Sequence, residues 1–536
     1  MNVTINNQIN TNYNTSVLLV SNLDLKKKKL KTIINKFIIL DSKYNKILED
    51  IEKKLIKNNS IESLLTIADF NETSSGKLIN RVHQLLIMGI KLENIKDKDN
   101  RNNLEQYRLV GYKIQKGMHK NLIDSVNVLM LDKKNVEALT EGFLLSNYKF
   151  DKYKSKNATK ANKNSNSNNN NNPVSKNMIK LKNLHIVLQN ELKGKDLDMK
   201  KLLGDLGIRV DSVFMSRDLS NEPSNKLTPE IFVKTVLSTI KKYKLPIETE
   251  IISGNKLVKN NLNLIYSVGK YSKGKSNARL LICKYVPNRS DDILLSLVGK
   301  GVTYDTGGLS LKIDPSQYVF NKMDMAGASL VISFLIGYAR MKGNKNVMAL
   351  CPLAENNIGT HTTKPGDIIE SYNGKTVEII NTDAEGRLML ADTIAYISDK
   401  YPKSQIIEFS TLTQSQDDLS CKHFSNIMGI NSDSLIKKMI NIGGKINERL
   451  VSLPVMREYI RYLKSNIADV KNEPTKCGSD LFISMCFLLE FVKKNTKFIH
   501  IDIAGTVYDM KEIASYMGDE SSGIGVRLLF ELIKTF

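Results

Sequence analysis

Tryptophan is absent from the sequence, and histidine and cysteine are rare, with six and five residues among 536. The cysteines are odd in number and include no CxxC pair, which predicts free thiols in a reducing compartment rather than a disulfide framework. No run approaches the roughly 20 consecutive apolar residues that a transmembrane helix requires. The first residues also lack the basic and apolar segments of a signal peptide. These absences predict a cytoplasmic protein with no membrane-spanning helix.

Acidic residues are few relative to basic ones, which gives the chain a formal net charge of +22. One explanation is binding to nucleic acid or to another anionic surface. The other is a compositional bias, because lysine and asparagine are abundant throughout the chain. We favour the bias, since no basic run is interleaved with the aromatic residues that a base-stacking surface needs. Nucleic acid is therefore a partner that the charge permits and the pattern does not favour.

The length of the chain predicts two domains. We expect an N-terminal α/β domain at residues 1–205 and a catalytic α/β domain at residues 206–536. Residues 154–177 are rich in asparagine, lysine and serine and show no apolar periodicity, which predicts a disordered insertion in the first domain. A helical pattern precedes this segment and a strand-like pattern, LKNLHIVLQ, follows it.

From about residue 290, short apolar runs alternate with helical patterns. Buried strands are predicted for DILLSLVGKG, NVMALCPLAE, SQIIEFSTLT and FIHIDIAGT, and helices for MAGASLVISFLIGYARMK and RLMLADTIAYISDKY. This alternation predicts an α/β layer fold whose central sheet is largely parallel and flanked by helices. Ligands bind outside the carboxyl ends of the strands in such sheets, so polar residues there are candidates for a site.

Charged side chains are concentrated at these predicted strand ends. Asp383, Glu385 and Arg387 stand at every second position of NTDAEGRLML, a spacing that places all three on one side of an extended chain. The other charged residues at strand ends are Lys300, Asp305, Lys312 and Asp324. Four carboxylates in one pocket would repel one another unless divalent cations neutralise them. Oxygen ligands without histidine suit Mg and Mn, and Zn also accepts carboxylates.

Each of these residues taken alone has a simpler explanation. Asp383, Glu385 and Asp324 could cap helices or occupy first turns, and Lys300 could lie in an exposed turn. Taken together, four acids at the strand ends of one sheet favour a metal site. Lys312 and Arg387 would then be free to hold an oxyanion or an anionic helper. Arg387 also precedes an apolar helical run, and a helix N-terminus favours an anion.

Several longer motifs follow one another along this half of the chain. The stretches VGKGVTYDTGGLSLK, KMDMAGAS, PLAENN, KPGD and NTDAEGRLMLADT resemble, in order and spacing, those of the leucine (cytosol) aminopeptidase family. RDLSNEPSN upstream and SNIADVKN, HIDIAGT and GIGVRLL downstream extend the resemblance over about residues 217–529. The resemblance implies a two-metal exopeptidase that removes the first residue of peptide substrates and assembles as a homohexamer. Its cofactors would be two divalent ions per subunit, Zn or Mn with Mg and Co as further candidates, and bicarbonate as the general base.

The resemblance also implies a ligand set for the two metals. Asp305 and Glu385 would bridge them, and Asp383 would complete the first metal site. Lys300 and Asp324 would complete the second. The lysine would ligate as a neutral amine, because two adjacent dications lower its pKa.

The remaining implied roles concern the substrate. Lys312 would bind the scissile carbonyl oxygen and its oxyanion, and Arg387 would hold the bicarbonate. The pocket for the first side chain departs from the family pattern at Asn321, where methionine is usual, and at Gln414, where glycine is usual. Thr411, at the end of a predicted strand, is a further candidate substrate contact.

Two more departures lie close to these motifs. Asn357 stands where methionine is usual, and residues 480–486, DLFISMC, replace a stretch of small residues with bulkier ones. We therefore expect an altered preference for the first residue of the substrate. The alternative function is a DNA-binding or architectural hexamer with secondary or reduced peptidase activity, since some family members bind DNA. The complete set of charged residues favours the enzyme.

Overall fold

The computed structural model describes residues 2–6, 15–21, 29, 45–58, 62–67, 83–90, 101–120, 125–130, 135–155, 183–188, 196–272, 274–288, 292–476 and 479–536. Nearly all of the Asn-rich segment 154–177 lies outside these ranges, so its disorder stays a prediction. The chain divides into two compact units, Met1–Gly207 and Ile208–Phe536. None of the described helices combines the length and the apolar character needed to cross a membrane.

The first unit is built on a six-stranded sheet with the strand order β1-β6-β5-β2-β4-β3. The strands are β1 (Asn2–Asn6), β2 (Thr15–Ser21), β3 (Glu62–Ile67), β4 (His83–Ile90), β5 (Ser125–Met130) and β6 (Asn183–Leu188). The helices are α1 (Asn45–Asn58), α2 (Arg101–Lys120), α3 (Val136–Leu145) and α4 (Asp196–Asn221), the last of which continues into the second unit. Neighbouring strands run parallel except β3 and β4. The first unit is therefore an α/β layer structure in its own right.

The second unit contains a nine-stranded sheet with the order β16-β15-β18-β14-β9-β11-β8-β7, in which β10 also pairs with β11. Its strands are β7 (Ile247–Ser253), β8 (Arg279–Tyr285), β9 (Leu295–Gly299), β10 (Gly301–Asp305), β11 (Val347–Asn356), β14 (Gln405–Ser410), β15 (Ser425–Ile430), β16 (Leu450–Ser452) and β18 (Phe498–Asp502). A separate three-stranded sheet contains β12 (Ile368–Glu370), β13 (Thr376–Glu378) and β17 (Val470–Lys471). The pairs at the centre of the large sheet are parallel, as predicted.

Helices accompany this sheet along the whole second unit. They are α5 (Pro229–Lys242), α6 (Asn255–Lys259), α7 (Asn263–Gly269), α8 (Ala326–Arg340), α9 (Glu385–Lys400), α10 (Gln414–Ser420), α11 (Asp433–Ile446), α12 (Asp480–Leu489) and α13 (Val526–Leu532). In α8 every residue from Ala326 to Ala339 is buried, as expected for a helix that is apolar on nearly all sides. The strand β9, LSLVG, is buried at all five positions, which fits a parallel strand covered on both faces. The predicted α/β fold class is confirmed.

The chain crosses from β9 to β10 at Lys300, and this crossing places the first polar side chains at the sheet edge. Strand β9 pairs with the first half of β11, and β10 pairs with its second half. At the junction the Lys300 amide donates to the Phe409 carbonyl of β14, while the Val302 amide donates to the Asp324 carbonyl. These bonds fix the junction between its neighbours in the sheet.

Candidate active site

Five of the predicted charged residues meet at the carboxyl ends of the parallel strands. Lys300 lies between β9 and β10, and Asp305 ends β10. Asp324 follows a short 3-10 turn just before α8, and Asp383 precedes α9, whose first residue is Glu385. We call these four acids together with Lys300 and Lys312 the acidic cluster. The fold therefore brings together residues that are up to 85 positions apart in the chain.

Lys300 is the most deeply buried cation of the acidic cluster, with only 4% of its side chain exposed. Its Nζ lies 2.7 Å from Asp324 Oδ1 and 2.9 Å from Glu385 Oε1, and it also donates to the Thr411 carbonyl at 3.0 Å. Burial opposes the charged form of Lys300, but the neighbouring Asp324, Glu385 and Asp305 raise its pKa. In the absence of other cations, the ammonium group thus holds these carboxylates together.

A glycine makes this approach of Lys300 to α9 feasible. A Cβ atom on Gly386 would lie 2.4 Å from Lys300 Cε, which is far inside van der Waals contact. Any side chain at this position would displace the lysine from the carboxylates. Gly386 is therefore required by the close packing between the lysine and the first turn of α9.

Lys312 lies on the opposite side of the carboxylates. Its Nζ is 2.8 Å from Asp305 Oδ2 and 2.5 Å from Asp383 Oδ1. Burial again disfavours the charged form of Lys312, but the neighbouring Asp305 and Asp383 raise its pKa. The Lys312 side chain keeps 18% of its surface exposed, so it is the cation of the cluster that a bound molecule can reach.

If all four carboxyl groups were ionised, they would carry more negative charge than the two lysines neutralise. Burial and the nearby Asp305 and Glu385 raise the pKa of Asp383 to about 8, and burial raises the pKa of Asp324 as well. In Asp305, by contrast, Lys312 and Lys300 lower the pKa despite burial. Carboxylates that resist ionisation while buried together indicate a place for additional positive charge.

The oxygen atoms of the cluster fit a divalent metal. Asp305, Asp383 and Glu385 each offer one carboxylate oxygen, and the three atoms lie within 4.8 Å of one another. Within the described ranges, Glu385 Oε2 and Asp324 Oδ2 are buried and have no hydrogen-bond partner. Buried carboxylate oxygens without partners are costly unless a cation binds them. All-oxygen ligands of this kind suit Mg, Mn and Zn.

Arg387 lies in the first turn of α9, which corrects the prediction that Asp383, Glu385 and Arg387 share one side of an extended chain. The helix α9 begins at Glu385, so Glu385 and Arg387 lie in one helical turn and diverge. Arg387 donates through Nη1 to the Asn472 carbonyl at 3.1 Å and through Nη2 to Asp480 Oδ1 at 2.5 Å. Its guanidinium has chain partners of its own.

Two of the three residues predicted to bind substrate, Asn321 and Thr411, lie next to Asp324. Thr411 donates through Oγ1 to Asp324 Oδ1 at 2.7 Å, which places it beside the carboxylates. Asn321 opens the turn that leads to Asp324, and its Nδ2 is buried without a partner in the described part of the chain. Gln414 is exposed at the first position of α10. The structure therefore places an unsatisfied amide at Asn321 and a solvent-exposed one at Gln414.

Sequence reasoning missed two asparagines that hold the site in shape. Asn356 donates through Nδ2 to Asp305 Oδ1 at 2.8 Å and to the Thr382 carbonyl at 3.1 Å. Asn472 accepts from the Ile380 amide at 2.8 Å and donates to the Asn381 carbonyl at 2.6 Å, and so ties down the loop before α9. Both residues stand in the quoted motifs PLAENN and SNIADVKN, but neither charge nor spacing marked them.

A carboxylate and lysine cluster at the carboxyl edge of a largely parallel sheet is typical of a metal-dependent hydrolase. Residues 214–530 match the family model described as "Cytosol aminopeptidase family, catalytic domain". The chain belongs to the cytosol aminopeptidase family, as its motifs predicted.

Named relatives support the same assignment. The chain is 31% identical over 482 residues to the "Probable cytosol aminopeptidase" of Protochlamydia amoebophila. The aligned region covers 89% of this chain and 91% of that protein. It is 31% identical over 405 residues to the protein of the same name from Rickettsia rickettsii (strain Sheila Smith), with 74% of each covered. The fold is similar to a solved structure, "Bottromycin maturation enzyme BotP in complex with Mn", with a TM-score of 0.74, 20% identity, and coverage of 98% and 99% of the two chains.

Proposed function

We propose that this protein is a metal-dependent aminopeptidase that hydrolyses the first residue from peptides. The observation that carries the proposal is the acidic cluster, in which four carboxyl groups face two lysines and some buried oxygens have no partner among the described residues. Membership of the cytosol aminopeptidase family supports the same reaction. We infer a cytoplasmic location from the names of the relatives, and a homohexamer from the resemblance alone.

Two divalent ions would be held by the acidic cluster. Asp305 and Glu385 would be shared, with Asp383 completing one set of ligands and Asp324 with Lys300 completing the other. Zn and Mn are the favoured ions, and Mg and Co are further candidates. When bound, such ions supply Lewis acidity and an activated water for attack on a peptide carbonyl. The partnerless oxygens of Glu385 and Asp324 support this arrangement.

The two lysines would have different tasks. Lys300 is buried among three carboxylates and would act as a ligand, which requires that it lose its proton as a metal replaces its ion pairs. Lys312 is partly exposed and would donate a hydrogen bond to the scissile carbonyl oxygen as negative charge develops there. A protonated Lys312 is favoured by the carboxylates beside it.

The pocket for the first side chain would be formed by Asn321, Thr411 and Gln414. The buried Nδ2 of Asn321 has no partner in the part of the chain that the structure describes, and it disfavours a purely apolar side chain beside it. Gln414 is exposed and has room to turn toward a bound side chain or away from it. We therefore expect substrates with small or hydrogen-bonding first residues to be cleaved relatively better than leucine substrates.

A panel of fluorogenic aminoacyl amides tests this function. The protein is stripped with a chelator, and Zn, Mn, Co or Mg is then added back before each substrate is assayed. We expect hydrolysis only after an ion is restored, and only of substrates with a free α-amine. Equal cleavage of N-acetylated substrates, or full activity in the stripped protein, would contradict the proposal. No feature of the site or of the relatives' names favours the DNA-binding alternative.

A further inference from the structure

The guanidinium of Arg387 is buried, with only 2% of its side chain exposed. Its Nη2 donates to Asp480 Oδ1 at 2.5 Å, and its Nη1 donates to the Asn472 carbonyl at 3.1 Å. In the described part of the chain, only Nε has no hydrogen-bond partner. Each terminal nitrogen therefore uses one of its two N–H groups on a partner from the chain, and Asp480 supplies a negative charge directly at the guanidinium.

A second carboxylate adds to this neutralisation. Burial opposes the charged form of Arg387, but Asp480 and Glu473 raise its pKa. Glu473 is partly buried and is hydrogen-bonded by the Asn381 side chain. An added anion at this place would meet two carboxylates and would have to displace a charge-assisted hydrogen bond.

The bicarbonate that the family resemblance implies therefore does not fit this site. We propose that the Asp480 carboxylate is the resident anion at Arg387, so that the reaction does not depend on external bicarbonate. This proposal about Asp480 depends on the proposed function only where hydrolysis is the quantity measured. Asp480, which contacts Arg387, is one of the residues 480–486 at which the sequence departs from the small residues of the family pattern.

Asp480 would act as a positioning residue rather than as a catalytic one. Its carboxylate anchors Arg387 in the first turn of α9, two residues after Glu385, the proposed metal ligand. About a third of the Asp480 side chain is exposed, at 33%. Removal of this side chain would therefore open a path by which a small anion from solvent reaches the buried guanidinium.

The first test compares hydrolysis by four proteins in carbonate-depleted buffer with and without added bicarbonate or formate. These are the parent, Asp480→Gly, Asp480→Asn and Asp399→Asn, the last being a matched control whose carboxylate pairs with Lys493 at the far end of α9. We expect no change for the parent and the control. Asp480→Gly should lose about tenfold or more in kcat, and added anion should restore most of it, whereas the amide of Asp480→Asn should block this rescue. Stimulation of the parent by bicarbonate would overturn the proposal.

The second test needs no catalysis and uses the metal-free proteins. An anion that binds only the folded state raises the melting temperature. Bicarbonate and formate should raise the melting temperature of Asp480→Gly. They should leave the melting temperatures of the parent and of Asp480→Asn unchanged. An equal rise in the parent would contradict the proposal even if no substrate is ever cleaved. If Asp480→Gly does not fold, the response of the parent to bicarbonate in both tests still decides the matter.

Discussion

The two charged clusters that meet at the start of α9 neutralise their charge in opposite ways. In the acidic cluster four carboxylates face two lysines, and buried oxygens of Glu385 and Asp324 have no partner within the described ranges. Around Arg387 one guanidinium faces two carboxylates, those of Asp480 and Glu473. One cluster lacks positive charge, and the other already contains its anions.

This difference separates a cofactor that the site requires from one that it does not. Burying charges without compensation costs several kcal/mol per ion, so a folded chain must provide the partner or bind it. The acidic cluster provides too few cations, which favours bound divalent ions. The Arg387 cluster provides its own carboxylate, which disfavours bound bicarbonate. The same helix start would thus hold one external partner and exclude the other.

The largest expected effect comes from removing one charge from the acidic cluster. Glu385→Gln keeps the shape of the side chain but weakens the ligand that we propose both metals share. We expect activity to fall by about 10³-fold, the upper end of what one electrostatic group contributes, together with weaker metal binding. Steady-state kinetics and calorimetric titration with Mn²⁺ measure the two effects. Asp399→Asn, on the same helix, should change neither, and normal metal binding by Glu385→Gln would refute the ligand assignment.

A smaller loss is expected at the exposed cation of the acidic cluster. Lys312→Met removes the donor proposed for the developing oxyanion and should lower kcat by about 10²–10³-fold. Metal affinity should change less, because Lys312 is not a proposed ligand. Lys312→Arg retains the charge and should recover part of kcat. A variant with lost metal affinity and unchanged kcat at saturating metal would show that Lys312 supports the ligands instead.

The residue that orients Asp305 should have an intermediate effect. Asn356→Ala removes the amide that donates to Asp305 Oδ1 and should weaken metal affinity by about 10–100-fold, as is usual for groups that orient a ligand. The matched control is Asn357→Ala, because the neighbouring Asn357 contacts Glu355 Oε1 instead. Titration of the metal-free proteins with Mn²⁺ compares the two. Equal affinities for the two variants would mean that Asn356 does not hold the ligand in place.

The smallest expected effect concerns the first-residue pocket. The double change Asn321→Met, Gln414→Gly should raise kcat/KM for leucine substrates by at least about tenfold, which corresponds to ~1.4 kcal/mol. Most of the gain should come from Asn321, whose buried Nδ2 has no partner among the described residues, rather than from the exposed Gln414. Comparison of both single variants with the double variant on leucine and serine amides separates the contributions. A parent that already prefers leucine, with no gain on mutation, would refute this account of the pocket.

Much of the catalytic unit could be predicted from its sequence because its strands and helices have strong apolar patterns. The acids of the cluster were marked by their positions at strand ends and by their motifs. The helical position of Arg387 could not be predicted in this way, because a spacing of two residues does not distinguish an extended chain from a first helical turn. The pairing of Arg387 with Asp480 spans 93 positions, and that of Asn356 with Asp305 spans 51. Such contacts depend on how separate elements pack, which local patterns do not encode.

The most direct test of the central claim follows Mn²⁺ binding and hydrolysis in the same samples. Metal-free protein is titrated with Mn²⁺, free Mn²⁺ is measured by electron paramagnetic resonance, and cleavage of an alanyl fluorogenic amide is recorded at each point without added bicarbonate. We predict that activity rises in step with bound Mn²⁺, and that Glu385→Gln shows neither tight binding nor activity. Full turnover before any Mn²⁺ is bound, or equal binding by the parent and Glu385→Gln, would contradict the claim that the acidic cluster is a metal-dependent active site.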